Sequence, residues 1–270
     1  GTGVFVAALR DALLDGRCDV AVHSFKDLPT APAPGLVVAA VPPREDPRDA
    51  LCARDGWTLA TLPEGASVGT GSPRRAAQLL AARPDLRVVD IRGNVDTRLR
   101  RITDDLDAVV LARAGLARLG RLDAVTDALA TDVMAPAPAQ GALAVEVRAA
   151  DAVPTTPLGL ALAALDDRPS RLAVLAERAL LARLEAGCAA PVGAYAHLAA
   201  EGGTTLTLTA VVLRPDGSAH LRRSDVVALG PADGAASAVG TDLAVALGTR
   251  LAEALLADGA ADLAGLGATA

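Results

Sequence analysis

Two adjacent arginines stand where a helix tolerates cations least. The run Val68-Gly69-Thr70-Gly71-Ser72-Pro73-Arg74-Arg75 reads as a strand end, a glycine loop and a helix start. Ser72 suits the N-cap and Pro73 the first helical position. Arg74 and Arg75 then fall in the first turn, beside unpaired N–H groups and the positive end of the helix dipole. Each cation there costs about 0.3–1 kcal/mol. A bound anion relieves that conflict, because helix N-termini and guanidinium forks both favour carboxylate or phosphate. The plainer alternative is that both side chains bend away into water.

The layout recurs at Ile91-Arg92-Gly93-Asn94-Val95-Asp96-Thr97-Arg98, with Arg92 at a strand tip and Arg98 in the second helical turn. Arg100 and Arg101 read as solvent-facing. A third strand end, His23-Ser24-Phe25-Lys26-Asp27-Leu28-Pro29, offers a hydroxyl (Ser24), a cation (Lys26) and a carboxylate (Asp27). In open α/β sheets, ligand groups gather just beyond strand C-termini. A solvated turn closed by proline is the bland reading of the same residues. His23 reads as a structural strand residue rather than a base. Cys188, in Gly187-Cys188-Ala189-Ala190-Pro191, lies on a loop between a helix and a strand. Loops carry function more often than core elements do, yet a free cysteine is commonly a small buried hydrophobe. Cys18 and Cys52 read as structural, and no cysteine or histidine pair has metal-ligand spacing, so no metal site is expected.

The elements that must position these groups follow from the pattern. About half of the 270 residues are hydrophobic but only four are aromatic, so alanine, leucine and valine must fill the core. Up to about residue 150, strands are expected at 19–24, 35–41, 67–69, 86–91, 107–112 and 142–148. Helices are expected at 5–14, 73–82, 95–104 and 116–129. In the first helix Val4, Phe5, Ala8, Leu9 and Leu13 form the apolar stripe. This alternation predicts open, largely parallel sheets covered by helices. The proline-rich stretches 41–47 and 135–138 read as outgoing and returning crossings, which inserts one domain into another. The predicted division is 1–43 with 136–165, then 44–135, then 166–270. The last part reads as a smaller α+β domain. Its long helix (170–185) precedes three antiparallel strands (191–198, 205–213 and 219–229), and a final helix spans 235–257. The tail after Asp258 is expected to fray.

The net charge of −6 argues against nucleic acid as a partner. Arg74, Arg75, Arg92, Arg98, Arg100 and Arg101 nevertheless crowd into residues 74–101, which suits a small polyanion. Scarce aromatics argue against stacking on single strands. No apolar run is long enough to span a bilayer, no signal peptide is visible, and three cysteines make no disulfide framework. These point to the cytoplasm, without a membrane partner. The sequence opens at Gly1-Thr2-Gly3 directly into a helix that an α/β domain would normally precede with a strand. An N-terminal segment is therefore expected to be missing.

Five ordered motifs carry a resemblance: 23–29, 69–75, 92–98, Pro138-Ala139-Gln140-Gly141-Ala142, and Gly187 to Tyr195. Together they resemble the porphobilinogen deaminases (hydroxymethylbilane synthases) over essentially the whole chain. The resemblance implies two periplasmic-binding-protein-like open-sheet domains and a C-terminal cofactor-attachment domain with a three-stranded antiparallel sheet. It implies a cytoplasmic monomer and a transferase of porphyrin and heme biosynthesis. Such an enzyme condenses four porphobilinogen molecules into hydroxymethylbilane, releases ammonia at each step, and grows the chain on a covalent dipyrromethane primer. By motif match the primer is attached through Cys188. Lys26, Thr70, Ser72, Arg74, Arg75 and Arg98 would contact its carboxylates, and Ser24, Arg92 and Arg98 would hold the incoming substrate. Asp27 matches the catalytic aspartate, Phe5 an aromatic near the site, and Gln140 a ligand contact on the returning crossing. The family's opening Arg-x-Ser-x-Leu-Ala-type motif is absent. Two rivals remain: an inactive truncated paralogue, and a non-catalytic anion-binding module. Cys188 and Asp27 discriminate against a pure binder, which needs neither a thioether anchor nor a carboxylate facing an anion.

Overall fold

The computed structural model describes residues 2–187, 190–199, 204–229 and 238–266. Cys188 and residues 235–237 of the expected last helix lie outside the described residues.

Three sheets organise the described residues. The first has the order β1-β8-β2, from β1 (Ala21–Ser24), β8 (Leu143–Arg148) and β2 (Leu36–Ala40). Both of its pairings are antiparallel, contrary to the expected parallel sheet, because the returning strand β8 inserts between β1 and β2. The second sheet has the order β5-β4-β6-β3-β7 and is mixed. There β4 (Ser67–Gly69) pairs in parallel with β5 (Arg87–Val89) and β6 (Ala108–Ala112). The outgoing strand β3 (Asp49–Ala53), absent from the sequence reading, runs antiparallel to β6 and to β7 (Asp127–Ala128). All five of its strands fall between β2 and β8 in the chain.

Helix α1 (Thr2–Leu14) covers the first sheet, but its buried face differs from the expected stripe. Val6 and Leu13 are buried, whereas Phe5 and Leu9 are exposed. Position 6, not 5, shares a face with 13, as helical spacing by seven requires. Helices α2 (Pro73–Ala82) and α3 (Val95–Asp104) follow β4 and β5 as expected. The helix expected at 116–129 is instead the short α4 (Arg113–Arg118), ended by Gly120 in the left-handed region (φ +65°). β-Branched Val125 and Thr126 then lead into β7, with the Thr126 amide donating to Leu51 O at 3.0 Å. A helix α5 (Pro157–Leu165), not anticipated, precedes α6 (Arg168–Arg183).

In the C-terminal sheet, β9 (Val192–Leu198), β10 (Thr205–Leu213) and β11 (His220–Ala228) form the expected antiparallel meander in the order β11-β10-β9. Its core interleaves Leu172, Leu180, Leu206, Leu208, Leu247 and Leu251 between the sheet, α6 and α7 (Ala238–Ala257). The start of the tail does not fray. Residues Ala260–Ala264 form α8, and Ala260 is fully buried. The β10–β11 turn docks onto the second sheet's unit. A Cβ on Gly217 would lie 2.7 Å from Ala77 O of α2, and Gly217 also has φ +74°. The C-terminal module thus backs the helix whose first turn carries Arg74 and Arg75.

Candidate active site between the sheets

Ser24 ends β1, and the chain turns at once through a 3-10 helix, Phe25–Asp27. Phe25 and Leu28 are buried and anchor this turn from below. Lys26 and Asp27 between them are half-buried and line a cavity of about 210 Å³. Arg178 of α6 clamps the turn from behind. It donates to Phe25 O (3.2 Å), Leu28 O (3.0 Å) and Pro29 O (2.6 Å), with its guanidinium 4.6 Å from the centre of the Phe25 ring.

The opposite wall is the N-terminus of α2: Gly71, Ser72, Pro73, Arg74 and Arg75. Gly71 is forced by close approach, since a Cβ there would meet Ile91 O at 2.5 Å. The arginines do not bend into water. Arg74 is 4% and Arg75 5% exposed. Both converge on Asp49, the first residue of β3, which has no exposed surface. Arg74 Nη1 lies 2.7 Å from Asp49 Oδ2, and Arg75 Nε 2.9 Å and Nη2 2.7 Å from Oδ1. Burial alone would raise the Asp49 pKa. The charges of Arg74 and Arg75, with hydrogen bonds from Arg74 and Gln140, instead hold it well below the usual carboxylate range. One carboxylate shared by two guanidiniums leaves a positive charge over.

Gln140, on the returning crossing, is 1% exposed. Its Nε2 donates to Asp49 Oδ1 and Pro47 O, both at 2.8 Å, and its Oε1 accepts from Lys26 Nζ (3.2 Å) and Arg75 Nη2 (3.4 Å). Lys26 is the only lysine of the chain. Burial, then repulsion from Arg75, pushes its pKa down to about 8. An ammonium pushed towards neutrality by burial and then by neighbouring cations marks a site short of negative charge.

Leu181, Gly187, Ala190 and Val192 complete the cavity wall. Gly187 and Ala190 are the nearest described residues on either side of Cys188 in the sequence. A second cavity of about 80 Å³ meets the first at Lys26 and is lined by Ser24, Arg118 and Gly141 among others. The structure therefore brings together Lys26, Asp27, Ser72, Arg74, Arg75 and Gln140, with Ser24 next door. Thr70 is buried behind them, and its Oγ1 accepts from the Ser72 amide at 3.3 Å. Arg98 is half-buried and bonds Gly93 O at 2.8 Å. Burial, then Arg75 and Arg92, lower its pKa, so it shares the same positive field. Arg92 is exposed and faces Asp90 at 3.3 Å. Phe5 is 76% exposed and lines neither cavity. Its solvent-facing place on α1 corrects the apolar-stripe assignment. His23 is buried elsewhere in the first sheet, its Nε2 3.1 Å from Glu146 Oε2.

Sequence reasoning missed Asp49, Arg118 and Arg178. Asp49 left a trace, as a carboxylate opening the apolar run Ala50-Leu51-Cys52 directly after the proline-rich crossing. Arg118 and Arg178 sit on helices with nothing local to separate them from surface arginines.

Residues 1–155 match the family model described as "Porphobilinogen deaminase, dipyromethane cofactor binding domain", and residues 171–257 match "Porphobilinogen deaminase, C-terminal domain". The porphobilinogen deaminase of Leifsonia xyli subsp. xyli is 60% identical over 267 residues, covering 98% of this chain and 79% of that one. That of Cutibacterium acnes is 58% identical over 285 residues, covering 100% and 83%. That of Thermobifida fusca is 59% identical over 261 residues, covering 96% and 78%. The chain belongs to the porphobilinogen deaminase family and is an enzyme of that kind, a transferase of tetrapyrrole biosynthesis with a dipyrromethane cofactor.

Proposed function

We propose that the cavity between the Phe25–Asp27 turn and the α2 N-terminus is where porphobilinogen units are joined. One observation carries this reading: the Lys26–Asp27 turn, the Arg74–Arg75 pair and the shoulders of the Cys188 segment line one cavity. The residues suit a ligand bearing several carboxylates. Among the described residues, the carboxylates that Lys26, Arg74 and Arg75 face are Asp27 and Asp49, and Arg74 Nε is a buried donor without a hydrogen-bond partner. The dipyrromethane, held as a thioether on Cys188, supplies when bound the pyrrole carbon to which the next unit is added.

The chain's own residues do the rest. Lys26, Arg74, Arg75 and Arg98, with Thr70 and Ser72, hold carboxylates of the primer. Ser24, Arg92 and Arg98 hold the acetate and propionate of the incoming unit, with Gln140 a further ligand contact from the returning crossing. Phe5 has a place in this scheme only if α1 and the cavity approach each other during turnover. Asp27 keeps a carboxylate at the cavity wall, where it accepts from a pyrrole N–H and stabilises the positive charge left on porphobilinogen as ammonia departs. Its location beside Lys26 keeps the ammonium and the carboxylate on one rigid turn, a short reach from each other's ligand groups. The domain division 1–43 with 136–165, 44–135 and 166–270 fits this scheme, with two periplasmic-binding-protein-like lobes closing on the cavity. A cytoplasmic monomer belongs to the same reading by family resemblance; no helix among the described residues is long and apolar enough to cross a membrane.

Two measurements test the proposal. Intact mass with peptide mapping is expected to find two pyrrole units on Cys188, and an unmodified Cys188 in active protein overturns the attachment. Asp27→Asn is expected to cut turnover by about 100-fold or more at unchanged melting temperature. Near-normal turnover would remove Asp27 from the mechanism.

A further inference from the structure

We propose that Asp49 and Gln140 are positioning residues that bind Lys26, from the first sheet, to Arg74 and Arg75, from the second, as one ionic unit. This rests on the reading of the cavity given above and adds to it two residues that line the unit from within rather than hold the ligand alone.

Two side chains connect the three cations. Asp49 takes Arg74 on one oxygen and Arg75 with Gln140 on the other. Gln140 then spends its remaining oxygen on Lys26 and Arg75. Its second amide hydrogen goes to Pro47 O of the outgoing crossing. From the returning crossing, the single Gln140 side chain thus touches the β1 turn, α2, β3 and the outgoing crossing. The crossings are pressed together at this point. Gly141, with φ +89°, allows the returning strand to pass so close that a Cβ would lie 2.5 Å from Glu45 O. Arg44 of the outgoing crossing donates from Nε to Gln140 O at 2.8 Å, fixing the backbone that carries the amide. The groups that face Lys26 are accordingly Asp27 on its own turn, Arg74 and Arg75 on α2, Asp49 on β3, Gln140, and Arg118 across the smaller cavity.

Such a unit has a chemical purpose. Three separate cations on long side chains would pay rotamer entropy each time a carboxylate arrived. A shared acceptor buried between them removes that cost in advance, which is the general route to preorganised electrostatics. The shared acceptor also makes the state of one cation depend on the others. Gln140 accepts from the ammonium form of Lys26, so losing that acceptor disfavours the charged amine. Losing the Asp49 charge acts in the same direction.

Because Lys26 is the only lysine, protein grown with 13Cε-labelled lysine gives a single side-chain resonance whose pH titration reports this site alone. Gln140→Met keeps the volume and leaves the Asp49–arginine pairs intact. It is expected to move the Lys26 midpoint down by about half to one pH unit and to raise KM for porphobilinogen about tenfold. Asp49→Asn is expected to move the midpoint further the same way. If that variant does not fold, Gln140→Met decides by itself. A Lys26 midpoint unchanged in Gln140→Met overturns the proposal. The titration needs no turnover, so the two readings fail separately. A shifted midpoint with unchanged KM keeps the ionic unit and removes Gln140 from the residues that hold the incoming porphobilinogen.

Discussion

The helix starts of α2 and α3 look alike in sequence and differ in almost every physical respect. Each follows a strand of the second sheet, each has a capping residue, and each brings arginines to the strand tip or first turns. At α3 the cap works in the ordinary way. Asn94 accepts from the Thr97 amide at 2.9 Å, Arg92 is solvated beside Asp90, and Arg98 folds back to Gly93 O. At α2 the Ser72 side chain makes no cap bond, and both arginines are buried. What separates them is a carboxylate 25 residues upstream in the chain. Asp49 opens β3, and β3 lies beyond β6 in the sheet, so only the assembled sheet brings it to the α2 terminus. A helix start becomes a buried charge site when a third element supplies the counter-ion. Without one it remains a surface cap whose arginines are free to reach a ligand.

The widest separation between the two should appear in stability. Arg75→Met strips the fully buried Asp49 of one of its two guanidiniums, and breaking a buried pair from one side costs about 3–5 kcal/mol. Arg98→Met removes a half-buried arginine with no carboxylate paired to it among the described residues, with an expected cost of under about 1 kcal/mol. Chemical denaturation of the two variants checks this. Equal losses would mean that Asp49 does not organise the α2 terminus. Both variants should lose activity, because both arginines belong to the positive field of the cavity.

That contrast also marks the limit of reading the sequence. The strand–loop–helix units around 69–75 and 92–98, and the Ser24–Asp27 strand end, were legible because local chemistry defines them: glycine for close approach, proline at N1, a capping side chain. The partners of Arg74 and Arg75 were not legible, because Asp49 meets them only through sheet order. The same holds for Arg178, which reaches the turn at Phe25–Pro29 from 149 to 153 residues away. Strand direction in the first sheet was misread for a related reason. A β8 that returns between β1 and β2 reverses both pairings, and nothing within β8 signals which gap it will enter. Helix 116–129 failed on a local rule instead, with Gly120 and the β-branched pair Val125–Thr126 set against a hydrophobic period.

A second, smaller difference concerns pH. The surplus charge at the α2 site falls on Lys26, which can lose its proton, whereas at α3 it rests on arginines that cannot. Lys26 titrates near pH 8 in the folded chain and near 10.4 when unfolded. Between those values the unfolded chain binds more protons, so folding stability rises with pH across the window. Below pH 8 the folded chain bears the full cost of the confined ammonium. Lys26→Met is therefore expected to stabilise the ligand-free protein at pH 7 by about 1–2 kcal/mol, since Lys26 is only half-buried. It should also abolish the rise between pH 8 and 10 while weakening binding of carboxylate-bearing ligands. Melting curves at pH 7 and pH 9.5 read both effects. A variant that is less stable at pH 7 would show Lys26 to be a structural cation rather than one held ready for an anion.

The smallest expected effect isolates the caps themselves. Asn94→Ala removes a side-chain acceptor from the Thr97 amide and should cost about 1 kcal/mol. Ser72→Ala removes a hydroxyl that accepts nothing from α2, so its cost through capping should be near zero. The Ser72 backbone amide keeps its bond to Thr70 Oγ1, and the Ser72 carbonyl still receives the Ala76 amide at 3.0 Å. Stability alone therefore leaves Ser72 without a reason to be serine, while its place on the cavity wall gives it one. If Ser72→Ala keeps the melting temperature but weakens binding of a carboxylate ligand, the hydroxyl is turned towards the cavity for that ligand. A loss of stability matching that of Asn94→Ala would instead make the two helix starts the same device, with the buried arginines of α2 an addition to an ordinary cap.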